Sequence, residues 1–151
     1  MMTVIETLLQ ALPDKEIPEG MKHDTLTLTW EDRCRSHGKR QTDGGLEFGL
    51  SLPSGTVLEQ GNCLILEAEN VLIEVVEANE KVLLINPLTQ YQWAYWAYQI
   101  GNRHQALMIT ENELVCMDEP AVSMLLLQLK VPFRKAVRAF RPAIKVSGHT
   151  H

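Results

Sequence analysis

Cysteine is scarce in this chain of 151 residues: Cys34, Cys63 and Cys116 stand far apart, and no two form a Cys-x-x-Cys pair. That excludes a disulfide framework and a cysteine zinc finger. Cys63 and Cys116 fall in apolar, strand-like runs and read as small buried hydrophobes, whereas Cys34 lies between Arg33 and Arg35, cationic neighbours that favour thiolate. Long apolar runs are missing too. Glu67, Glu69, Glu74 and Glu77 break up the most hydrophobic region well short of the roughly 20 residues that span a bilayer. No basic segment leads into an apolar run at the amino terminus, so the expectation is a cytoplasmic chain with no signal peptide and no membrane contact. The sequence also contains no Gly-rich phosphate loop, no Gly-x-Ser-x-Gly elbow and no His-Glu-x-x-His helix, and an enzyme is not expected.

Acidic side chains are absent from residue 130 onward, where six Lys/Arg give a net +6; the preceding part carries eight Lys/Arg against nineteen acids, a net −11. The basic segments 33–40 and 130–145 therefore admit an adaptor that binds nucleic acid or an acidic protein. A simpler reading is a basic face that balances the acidic remainder of the same chain. Segment 33–40 has no interleaved aromatics and is poor evidence for single-strand binding.

With 45% hydrophobic residues the chain has enough apolar surface to bury a core. Residues 3–12 fit a short amphipathic helix ended by Pro13, and the polar, Pro- and Gly-bearing segment 13–22 reads as a linker. Short strands are expected at 25–30, 46–52, 57–58, 63–67, 71–77 and 81–85, punctuated by Gly44-Gly45 and Pro53-Ser54-Gly55. The rhythm then changes to a helix from Leu88, strands at 106–109 and 114–117, a helix over 119–129 and a strand over 131–137. The expected fold is α+β: a small all-β amino-terminal domain (1–69), a ferredoxin-like βαββαβ carboxy-terminal domain (70–146) and a tail (147–151).

Five of the nine aromatic residues, Tyr91, Trp93, Tyr95, Trp96 and Tyr98, crowd into that first long helix. At helical spacing only some of them can face the core, and an exposed remainder marks an interface. Asn86 and Pro87 read as its cap and first position, and Gly101 as the left-handed residue that closes it. Arg103 and His104 then project from the turn. One histidine holds a metal poorly, but a residue on the axis of a two-fold dimer meets its own copy, and paired imidazoles suit nickel, copper or zinc. His149 and His151, with the chain's terminal carboxylate, offer further ligands. His23 sits in the linker and His37 in a positive loop, where both are expected to be solvated.

The run Ala97-Tyr98-Gln99-Ile100-Gly101-Asn102-Arg103-His104 resembles the signature of the urease accessory nickel chaperones, the UreE family. So do Arg40, Thr42, Gly44, Glu47-Phe48-Gly49-Leu50 and Leu52-Pro53-Ser54-Gly55-Thr56-Val57-Leu58 upstream, and Met124-Leu125 and Phe140-Arg141-Pro142 downstream. The similarity spans residues 26–142. It implies a homodimer that binds nickel through His104 at the subunit interface, takes up zinc or copper in vitro, and serves urease and its accessory proteins, including the GTPase UreG. It also implies an amino-terminal domain that engages protein partners, with no nucleic acid involved. The chain departs from the family where histidine is usual at Gln99, where many members carry histidines near Cys116 to Pro120, and where Arg141 replaces an acid. A zinc hydrolase is disfavoured because no Glu or Asp is spaced as a base beside His104.

Overall fold

The structure is a computed structural model that describes residues 2–6 and 20–143. It divides into two compact units, Met1–Ala78 and Asn79–His151. The division falls at Ala78 and not near Glu69, because Val71–Glu77 is the middle strand of a sheet in the first unit.

Among its described residues the first unit holds two three-stranded sheets. In one, β4 (Glu47–Ser51) lies between β1 (Val4–Ile5), which it pairs in parallel, and β3 (His37–Gln41), which it pairs antiparallel. In the other, β6 (Val71–Glu77) lies between β2 (Lys22–Leu28), parallel, and β5 (Cys63–Leu66), antiparallel. Alternation on β2 and β4 sends Leu26, Leu28, Phe48 and Leu50 inward, where they meet Leu64, Ile73 and Val75. Val4 and Ile5 are thus strand and not the start of a helix, and residues 7–12 lie outside the described residues. Trp30 opens the short helix α1 (Trp30–Arg33), capped by the Thr29 hydroxyl, instead of ending a strand. Val57 and Leu58 form no strand, although Leu58 is fully buried.

Elements of the second unit run β7 (Asn79–Ile85), α2 (Gln90–Asn102), β8 (Met108–Ile109), β9 (Leu114–Met117), α3 (Pro120–Gln128) and β10 (Arg134–Ala139). The antiparallel sheet has the order β10-β7-β9-β8, so the unit is a ferredoxin-like βαββαβ fold as expected. Leu83, Ile85, Leu114 and Cys116 of the sheet pack with Ile100, Val122, Leu125 and Leu126 of the helices. The last strand begins at Arg134, three residues later than expected, and Val131 and Phe133 belong to the core.

Candidate metal centre

Helix α2 starts later than its sequence signals. Thr89 is the cap: its hydroxyl accepts from the Gln92 N–H at 3.0 Å, while the Gln92 side chain accepts from the Leu88 N–H at 2.7 Å. This reciprocal Thr-x-x-Gln pattern resembles a capping box and satisfies two backbone donors. Asn86 instead donates its side-chain amide to the Asn112 carbonyl. Trp93, Trp96, Ala97 and Ile100 recur at helical spacing and face the core. Tyr91, Tyr95 and Tyr98 form the opposite stripe and stay exposed, Tyr91 at 71% and Tyr98 at 63%; the rings of Tyr91 and Tyr95 stack with centroids 5.5 Å apart.

The helix exit is where the expected geometry changes. Gly101 lies within the helix, which runs on to Asn102 with Arg103 as its cap. His104 takes the left-handed conformation, φ 58°. Its N–H donates to the Gly101 carbonyl at 3.0 Å, and the Gln105 N–H donates to the Ile100 carbonyl at 3.4 Å. That pair of bonds is a Schellman motif, whose left-handed position usually holds glycine. A non-glycine residue there costs about 1–2 kcal/mol. His104 is exposed, so the imidazole leaves the turn toward solvent on a fixed backbone.

No group of three or more His, Cys, Asp or Glu side chains comes together among the described residues. His104 thus offers one ligand per chain. His149 and His151 lie outside the described residues. His23 and His37 are exposed in the first unit, the latter with its Nδ1 3.0 Å from the Ser36 hydroxyl. Cys63 and Cys116 are buried, and burial pushes the Cys116 thiol up to about 12. Cys34 is exposed.

Several cations of the basic segments meet acids or carbonyls of their own unit. Arg33 is buried and pairs with the equally buried Glu77 at 3.0 Å, its guanidinium 5.3 Å above the Trp30 ring. Arg35 meets Glu31 at 3.0 Å, and Arg40 donates to the carbonyls of Lys39 and Arg35. In the second unit Arg134 and Arg138 both reach Glu113, and Lys135 lies 3.9 Å from Asp118. Arg33 in particular had the look of a surface cation in the sequence; the apolar residues around Glu77 were the signal that one acid there would need a buried partner.

Residues 5–77 match the family model for the UreE urease accessory protein N-terminal domain, and residues 80–151 match that for its C-terminal domain. The chain belongs to the UreE urease accessory protein family. Among similar proteins, the urease accessory protein UreE of Nostoc punctiforme is 33% identical over 84% of this chain and 86% of its own length. That of Synechococcus sp. is 31% identical over 99% and 98%, and that of Staphylococcus carnosus 30% over 98% and 99%. The two matched segments meet where the two compact units do. Among the described residues no helix is long and apolar enough to cross a membrane.

Proposed function

We propose that this chain is a cytoplasmic nickel metallochaperone: a homodimer that carries Ni(II) between two His104 imidazoles and delivers it for assembly of the urease active site. The observation that carries the reading is His104 itself, exposed at a helix exit and held in a left-handed conformation that glycine would adopt at lower cost. Nickel is cargo here, so the site must also let go. Two neutral imidazoles leave coordination positions open to water, to the tail residues His149 and His151, or to ligands of the receiving protein. Zinc and copper suit the same donors and compete in vitro.

Support for the dimer comes from the Tyr91, Tyr95 and Tyr98 stripe, an exposed aromatic surface on the helix that ends at the histidine. A two-fold axis near that stripe brings one His104 to the other. The first unit serves as the partner-binding domain, toward urease and accessory proteins such as the GTPase UreG. The adaptor reading is weaker, because Arg33, Arg35, Arg134, Lys135 and Arg138 all meet acids of their own unit. Titration of NiCl2 into the wild-type chain and His104→Ala, with mass measurement of the species formed, tests the reading. One tight nickel per dimer that His104→Ala abolishes is the expected result; tight binding by the variant would place the site elsewhere.

A further inference from the structure

Helices α2 and α3 end in the same motif, residue for residue. At the end of α3 the Lys130 N–H donates to the Leu127 carbonyl at 3.1 Å and the Val131 N–H to the Leu126 carbonyl at 2.9 Å. Lys130 has φ 58°, the same value as His104. Ile100 and Leu126 occupy equivalent positions and are both fully buried. Gly101 therefore corresponds to Leu127, a large residue that is 67% exposed. The motif itself has no need of glycine at this position.

Other reasons for a glycine fail as well. Gly101 is helical and is not among the residues with positive φ. A Cβ built on it would meet no described atom within 4 Å. In a helix interior, glycine is a poorer choice than alanine or leucine. Among the described residues neither the backbone nor the packing accounts for it, and its carbonyl is the group that holds the His104 N–H. What a missing side chain leaves is room for something from outside to approach the backbone.

We propose that Gly101 is a clearance position: it lets a second copy of the chain approach the end of α2 closely enough for the two His104 rings to share one metal. This rests on the two-fold reading of the site given above. Gly101 touches no metal and acts through the approach of the two helix ends, so it is a positioning residue.

The test is a size series, Gly101→Ala and Gly101→Leu, with Leu127→Gly as the control at the matching position of α3. Both replacements favour helix and leave the intrachain geometry free, so far-ultraviolet circular dichroism is expected to match the wild type. Sedimentation velocity and calorimetric titration with NiCl2 are expected to show dimer and nickel affinities that fall in the order wild type, Ala, Leu, with at least a tenfold loss for Leu and none for Leu127→Gly. A wild type whose nickel binding needs His104, beside a Gly101→Leu variant that dimerises and binds nickel equally well, overturns this proposal alone. Nickel binding insensitive to His104→Ala overturns the two-fold reading and this proposal with it. Should Gly101→Leu misfold, Gly101→Ala decides, and unchanged affinities in that variant overturn the proposal.

Discussion

His104 occupies a backbone conformation better suited to glycine, so stability and binding should respond in opposite directions when it is replaced by one. His104→Gly is expected to raise the unfolding free energy by about 1 kcal/mol in urea titrations while abolishing tight nickel binding. Lys130→Gly, at the same φ, is expected to give the same gain and keep nickel. The candidate ligand was legible in the sequence, since a histidine just past an apolar helical pattern has to leave the turn. Its conformation was not. Gly101 looked like the left-handed residue, yet Ile100 is fully buried and sets the phase of the last turn, which postpones the exit to His104. Among the thiols, a maleimide reagent at neutral pH is expected to label Cys34 rapidly and Cys116 only after unfolding, because Cys34 is exposed and the Cys116 thiol is pushed up to about 12. Equal labelling rates in the folded protein would contradict this placement.

At the scale of elements, helix α2 depends on Thr89, and Thr89→Ala is expected to cost about 1 kcal/mol of stability. Asn86 and Pro87 are also residues of helix starts, but the Thr-x-x-Gln pairing three residues on sets where the helix begins. The strand pattern was legible where residues alternate, as in β2 and β4, or run apolar, as in β6, and was lost in β3, whose residues are nearly all exposed and leave no hydrophobic mark. The turn after β3 is tied to β2 by two carboxylates. Asp43 accepts from the Thr25 and Thr27 hydroxyls at 2.6 and 2.7 Å, and Asp24 from the Gly44 N–H at 3.1 Å. Hydrogen bonds, from the Thr42 hydroxyl first for Asp24 and from Thr25 first for Asp43, hold both carboxyls below the ordinary 3.8 in the folded chain. The unfolded chain therefore takes up these protons first. The stability the two groups supply is present above pH 3.8 and is lost as pH falls through their lowered values. Asp43→Asn is expected to flatten that acid limb, which circular dichroism between pH 5 and about pH 2 would record.

For the whole molecule, the two units carry separate cores, and a defect in one should be visible there first. Arg33→Ala strands the buried Glu77 carboxylate and is expected to cost the first unit about 3–5 kcal/mol, whereas Arg33→Met with Glu77→Leu should be far milder. Amide exchange read by mass spectrometry would show faster exchange in β2, β5 and β6, with α2 and α3 unaffected. The boundary between the units escaped the sequence because Val71–Glu77 and Asn79–Ile85 are consecutive strands separated only by Ala78, and nothing in their composition says that they join different sheets. The matched ends of α2 and α3 carry a consequence for engineering. Each half of the βαββαβ fold finishes its helix with the same socket, one fitted with an imidazole and the other with an ammonium. The socket is thus an interchangeable part. Lys130→His would mount a second imidazole on an identical backbone, but beside Leu127 in place of a glycine, so it supplies the donor without the gap that a pair requires.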